Sequence, residues 1–423
     1  MNKLNKILFS LIAPVVLGTN AESGSFREGA VAERLRENAD CGLRNAECLS
    51  EQTLSAVYAL AKRHDLGHLL LNAECEMQNA ESGSFREGAV AERLRENADC
   101  GLRNAELYAE LERAQLTAVW RVKNILNEQG RVRKCLEKKG IPFILLKGAV
   151  TRGLYPEPWM RTSSDIDMLV PRDKLGEVVD ALIDGLGCKL STREPNDASL
   201  FAPSGVHLDV HTDIEGDTED GKNLTRVWDT SRDNGGFERF MSPEMFYFHH
   251  VSHMAKHMRN GGCGIRPFID LYLINRELPY DRGEVVDILS EFGLARFEDA
   301  AVRLAKAWMS GHPAPELAAM EEYVLTGGVY GSVAQNVASK QRGNKSRLHY
   351  LWQRVFMPYD ELKKRHKALD GRPLLTPVFW VWRWLSLLDF KRFKRSAKEL
   401  ATTAKLDEEN VKNVEALLDS LGI

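Results

Sequence analysis

Two aspartates one residue apart, Asp165 and Asp167, stand in the run Ser163-Ser164-Asp165-Ile166-Asp167-Met168-Leu169-Val170. The period of two in a strand puts both on one face and Ile166 and Met168 on the other. Carboxylates placed this way repel one another until a cation neutralises them, which favours a hard divalent ion such as Mg²⁺. A bare Asp-x-Asp is also common at strand ends whose acids face water, so a further acid has to separate the two readings. Val206-His207-Leu208-Asp209-Val210-His211 supplies it. It alternates as well, with His207, Asp209 and His211 on one face and three apolar residues on the other.

Elements around these acids can position them. Ile141-Pro142-Phe143-Ile144-Leu145-Leu146 is a short apolar run that reads as a buried strand and leads straight into Lys147-Gly148. A helix starting within Ala149 to Leu154 would leave backbone N–H groups at this turn free for an anion, although most strand–Gly–helix turns bind nothing. Asp173 to Leu186 reads as an amphipathic helix with Leu175, Val178, Val179, Leu182 and Ile183 inward. Ser199 to Pro203 pairs as a hairpin with Val206 to His211 across Ser204-Gly205. The expected fold is α+β, a mixed sheet with flanking helices and three carboxylates at one edge.

These residues resemble the DNA polymerase β-type nucleotidyltransferase superfamily and, within it, a bacterial family of uncharacterised nucleotidyltransferases. The likeness is carried by LLKGAVTRGLYPEPWMRTSSDIDMLV and HLDVH, and continues through HMAKH and GIRPFIDLYLI to the Trp-rich C-terminal end. It implies that Asp165 and Asp167 are paired metal ligands and Asp209 the third acid. It also implies two-metal transfer of a nucleoside monophosphate from an NTP, with two Mg²⁺ ions and release of pyrophosphate. Lys147, Gly148, Ala149 and Arg161 are then the candidate nucleotide contacts. The chain departs from the superfamily at Ala149, where a second Gly or Ser is usual, so Lys147 supplies charge in place of a hydroxyl. The stretch from Gly148 to Asp165 is longer than in most members, and its Pro-rich loop, Tyr155 to Arg161, could cover the nucleotide. Arg161 could reach a phosphate or pair with a loop carboxylate.

Helical segments flank this core on both sides, giving expected regions of 1–140, 141–240 and 241–423. Ser242-Pro243-Glu244 is a strong helix start. In the helix that follows, His249, His253 and His257 share a face. A zinc site would need a further ligand that the sequence does not place. His253, Lys256 and His257, with His211, instead face an active-site cleft or pack a joint between domains. Arg266 and Asp270, four apart, could pair with each other or with the histidine helix. Leu374 to Phe390 is aromatic but too short and too charged to span a membrane. It reads as a core helix, with membrane-surface contact through 374–395 as the alternative.

Met1 to Gly18 has the outline of a signal peptide but lacks a clean cleavage site, and reads instead as a docked helix ending near Pro14. Asn20 to Glu47 recurs unchanged as Asn79 to Glu106. Stacked structural repeats drift in sequence, so perfect identity points to translated repetitive DNA. Asn38 to Arg44 running into Asn45-Ala46-Glu47-Cys48 fits a seven-nucleotide unit read through all three frames. The net charge of −3 gives no strong nucleic-acid signal. Seven cysteines without metal-spaced pairs suit a reducing cytoplasm. The acceptor could be a small molecule, a glycan precursor or a protein. A non-catalytic nucleotide-binding protein that keeps the fold, and a toxin-like transferase acting on protein or nucleic acid, are the other readings. Deleting both 20–47 and 79–106 is expected to leave folding and nucleotide binding largely intact, and loss of folded protein on deletion would make the copies structural.

Overall fold

The computed structural model describes residues 3–17, 51–70, 105–214, 221–329, 331–341, 352, 356–369, 371–386 and 408–423. Both repeat copies lie outside the described residues, apart from Ala105 and Glu106 at the end of the second. The chain divides into two compact units, 1–254 with 265–321 and 255–264 with 322–423. The core expected at 141–240 thus lies wholly within the first unit, and the boundary drawn at 240 does not separate compact bodies. The reason is physical: residues beyond 240 supply buried partners to the core, as shown below.

The first unit opens with helix α1 (Lys3–Leu17), which packs on α2 (Glu51–Arg63) and on the later helix Ala295–Ser310. Pro14 removes one backbone donor yet does not end α1, which runs three residues further. Burial of Leu8, Leu11, Ile12, Val15 and Val16 offsets the lost bond, and Phe9 stacks on Trp308 at 4.6 Å. A single long helix, α3 (Ala105–Lys139), leads into the sheet. Its Val132 and Leu136 are buried, whereas Leu116 and Trp120 are exposed.

Seven strands follow, in the sheet order β3-β4-β5-β2-β1-β7-β6. They are β1 (Phe143–Leu145), β2 (Asp165–Leu169), β3 (Lys189–Arg193), β4 (Asp197–Phe201), β5 (His207–His211), β6 (Arg232–Asp233) and β7 (Glu238–Phe240). The β2–β5 and β1–β7 pairs are parallel and the others antiparallel. Interspersed are α4 (Gly148–Thr151), α5 (Leu175–Leu186) and α6 (Lys222–Thr230). The expected hairpin is present, turned at Gly205, whose φ of +83° suits a residue without Cβ. Gly187 ends α5 in the left-handed region, with Gly187 N–H bonded to Ile183 and Cys188 N–H to Leu182.

One face of the sheet is closed by α3 and α5. Val132 and Leu136 from α3 and Val178, Val179 and Leu182 from α5 join Phe143, Leu145, Ile166, Met168, Leu200, Leu208 and Val210 in one buried cluster. Every apolar strand residue that the period of two assigned inward takes part. The opposite face is thereby left to the acids.

Four helices, α7 (Pro243–Arg259), α8 (Arg266–Glu277), α9 (Arg282–Glu291) and α10 (Ala295–Ser310), follow the sheet. Ser242 caps α7 through its Oγ, which accepts from Met245 N–H at 3.3 Å. In α8 the carboxylate of Asp270 is fully buried and takes Arg161 Nη2 at 2.8 Å and Tyr155 Oη–H at 2.8 Å. Burial alone would raise the Asp270 pKa, but the Arg161 charge outweighs it and holds the carboxyl below its ordinary value. Arg266, expected to meet Asp270, instead reaches Asp65 at 3.2 Å.

In the second unit, Met357, Leu362 and Leu369 form a small cluster against Tyr359, Phe379 and Trp380. The helix Thr376–Ser386 within 374–395 buries part of Phe379 and Trp380 but exposes Val378, Val381 and Trp382. Residues 387–395 lie outside the described residues. Among the described residues no helix is long and apolar enough to cross a membrane.

Removing one partner of the Arg161–Asp270 pair strands a buried charge. Asp270→Ala is expected to cost about 3–5 kcal/mol in denaturant unfolding. An effect below about 1 kcal/mol, the scale of an exposed pair, would show that water reaches the site.

Candidate functional site

Strand register brings the three acids together. In the β2–β5 pair, Asp165 is opposite His207, Asp167 opposite Asp209 and Leu169 opposite His211. In the β4–β5 pair, Asp197 is opposite His211 and Ser199 opposite Asp209. Since all these positions share one face, Asp167, Asp209 and Ser199 form a row across three neighbouring strands.

Lys147 closes one end of this row. Its backbone has φ +48° and ψ −117°, a conformation that favours glycine. The Leu146 N–H bonded to Asp167 O at 3.0 Å ties β1 to β2 just before this residue. The Lys147 side chain turns onto the acids, and Nζ donates to Asp167 Oδ1 at 2.8 Å. Gly148 follows in a cramped position: a Cβ there would stand 2.8 Å from Arg161 Nη1 and 3.1 Å from Arg152 Nη1. The Ala149 N–H, expected to face phosphate, is bonded to Leu146 O at 3.1 Å, because the turn closes on itself. Gly148 N–H has no partner among the described residues.

Arg161 takes the second role open to it, an ion pair, although its partner lies on α8 and not in its own loop. The guanidinium wedges between Asp270 and Gly148 and so supports the turn from behind. The Pro-rich loop is held down by the same contacts, and His68 Nε2 lies 3.0 Å from Met160 O. Arg152 Nη1 donates to Ser163 Oγ at 2.8 Å, and Asp65 Oδ2 accepts from Thr162 Oγ1 at 2.6 Å. These bonds fix the approach to Asp165.

Histidines set the outer side of the row. His211 Nδ1 lies 2.7 Å from Asp197 Oδ1, and its Nε2 lies 3.2 Å from Asp167 Oδ1. Carboxylates on both ring nitrogens favour the imidazolium. Burial opposes that charge, but the Asp167 and Asp197 bonds prevail and raise the pKa above its ordinary value. His207 Nδ1 lies 3.3 Å from Asp209 Oδ2 and its Nε2 2.5 Å from Ser199 Oγ.

Asp165 and Asp167 diverge electrostatically. Burial, then the Asp167 charge, raise the Asp165 pKa. At Asp167 burial acts the same way, yet the His211 bond and the Lys147 charge overcome it and drive the pKa far down. The three carboxylates are hard oxygen donors on one face, and mutual repulsion at Asp165 is what a divalent cation would relieve. With the side chains as they stand, no three His, Cys, Asp or Glu side chains among the described residues converge on one point, and Asp167 Oδ1 is engaged by Lys147 and His211.

His249 shares a helix face with His253 and His257 but was not among the residues expected at the cleft. It is buried on α7, and neither ring nitrogen has a hydrogen-bond partner among the described residues. Burial and then the Lys147 charge lower its pKa to about 3, so the ring is neutral. His253 is half-buried, its ring 6.3 Å from that of His249. Lys256 and His257 belong to the second unit, the former exposed and the latter half-buried.

The family described as "Uncharacterised nucleotidyltransferase" matches residues 50–310, more than half of the chain. A solved structure titled an antigenic nucleotidyltransferase-like protein from Paracoccidioides brasiliensis is similar at 15% identity and a TM-score of 0.30. It covers 50% of this chain and 95% of its own. No curated protein matches.

The two paired acids are expected to act oppositely on stability. The folded pKa of Asp165 lies above the ordinary 3.8, so its contribution is present below about that pH and is lost as pH rises. The folded pKa of Asp167 is depressed, so its contribution is present above 3.8 and is lost as pH falls through the folded value. At neutral pH without metal, Asp165→Asn should therefore raise the melting temperature and Asp167→Asn lower it. Equal shifts in one direction would contradict this electrostatic assignment.

Proposed function

The chain belongs to the uncharacterised nucleotidyltransferase family, and from that premise we propose that it is an active enzyme. It moves a nucleoside monophosphate from an NTP to an acceptor hydroxyl and releases pyrophosphate. The observation that supports this most is the register that sets Asp165, Asp167 and Asp209 on one face with Lys147 at its end. A chain that kept only the fold would have no need of a lysine in a glycine-like conformation aimed at the acids.

Asp165, Asp167 and Asp209 are the residues that would hold Mg²⁺, two ions in the full assembly, which when bound neutralise phosphate charge and activate an acceptor hydroxyl. Lys147, released from Asp167, offers its ammonium to the phosphates, and Gly148 N–H adds a neutral donor. Asp209, with His207 beside it, faces the acceptor side. His211 and Asp197 hold the Asp167 carboxylate in place. Arg161 contributes from behind, by keeping the turn rigid. The acceptor is a small molecule, a glycan precursor or a protein, and the setting is the cytoplasm.

The test is thermal melting with and without Mg-NTP, alongside transfer of label from the α-phosphate into a cell extract. The wild type is expected to be stabilised by Mg-NTP and to transfer label. Asp165→Asn and Asp167→Asn should lose both, and Asp209→Asn should lose transfer while keeping part of the stabilisation. Stabilisation that persists unchanged in Asp165→Asn and Asp167→Asn would put the nucleotide elsewhere and end this reading.

A further inference from the structure

The helix Thr376–Ser386 is apolar on two sides. One side is fixed to the second unit: Phe379 and Trp380 pack on Met357, Leu362 and Leu369, and Trp380 Nε1 donates to Met357 O at 2.8 Å. The other side has no cover among the described residues. Val378, Val381 and Trp382 share it, three and four residues apart, and Leu374 stands a turn ahead of Val378. Leu374 is 92% exposed and Trp382 65%, so side chains that a core helix would bury stand in solvent. A helix side that faces water is ordinarily polar, and adjoining exposed apolar residues mark a surface for a partner.

Charge selects the partner. In sequence, residues 363–395 hold ten Lys and Arg and two Asp, within a chain whose net charge is −3. Arg372, two residues before Leu374, is exposed. A second copy of the chain would bring two such basic stretches together, and like charges disfavour that pairing. An anionic lipid surface answers both features: its acyl chains accept the apolar side chains and its headgroups the cations. Trp382 suits this boundary, because indole joins an apolar body to a polar N–H. With 11 residues the helix is too short to cross a bilayer, so it would lie along the surface.

We propose that the second unit docks on an anionic lipid surface through the outer side of Thr376–Ser386. Leu374, Val378, Val381 and Trp382 enter the headgroup boundary, and Arg372 pairs with lipid phosphate. Binding is peripheral and reversible, since one short apolar side buries little area and the cations supply the remainder. It weakens as salt rises, because the charges stay close to water. The inference stands independently of the transfer reaction.

The full chain is tested against vesicles of phosphatidylcholine alone and of phosphatidylcholine mixed with phosphatidylglycerol, with the bound fraction read by sedimentation. It is expected to bind the anionic vesicles about tenfold or more tightly than the neutral ones, and to leave them at high salt. Arg372→Gln should weaken binding by about fivefold, the share of one cation at an anionic surface. Val378→Glu combined with Val381→Glu should abolish binding and leave the melting temperature unchanged, since both side chains are exposed. Lipid brominated on its acyl chains should quench tryptophan fluorescence of the wild type, and quench it less in Trp382→Phe. Equal binding to both kinds of vesicle, or anionic binding that the double substitution leaves intact, would overturn the proposal. Binding to neither would overturn it as well, and dimerisation in light scattering that the double substitution breaks would then give the face to a second copy.

Discussion

Two carboxylates on one face of a strand that is largely withdrawn from water must be neutralised, and much of the first unit serves that requirement. Lys147 does so for Asp167. To reach it, the backbone after β1 takes a conformation that costs a residue with a Cβ on the order of 1–3 kcal/mol. The bond from Leu146 to Asp167 sets the distance, and the crowded Gly148 lets two arginines brace the turn. The apolar cluster under α3 and α5 holds the sheet from behind, so the polar face can carry its charges without loosening the strands.

The same requirement explains why the segment between the turn and β2 is long yet pinned. It is drawn in two directions, toward Asp270 by Arg161 and Tyr155 and toward Asp65 by Thr162. Asp65 lies on the helical N-terminal side of the chain and Asp270 on α8, so helices on both sides of the core in sequence converge on the approach to Asp165. This is the physical reason that the sheet and its neighbouring helices form one compact body.

What could be read in the sequence was whatever has a short period. The alternation in Asp165–Leu169 and His207–His211 placed the acids, the helical stripe in Leu175–Leu186 placed α5, and the glycine at 205 placed the hairpin. The strands that escaped were β3, which is exposed along its length, and β6 and β7, which span two and three residues. None of these offers an apolar rhythm. Partners distant in sequence escaped too: Asp270 lies 109 residues from Arg161, and nothing local distinguishes it from Arg266 as a partner. Ala149 was assigned a phosphate-facing N–H because a turn that closes on its own carbonyl looks the same in sequence as one left open.

His249 carries a consequence for the stability of α7. A neutral imidazole sealed from water with both nitrogens unpaired makes its helix less stable than a leucine of similar size would. The cost falls on α7, where buried Met245, Phe248 and Val251 hold the ring in place.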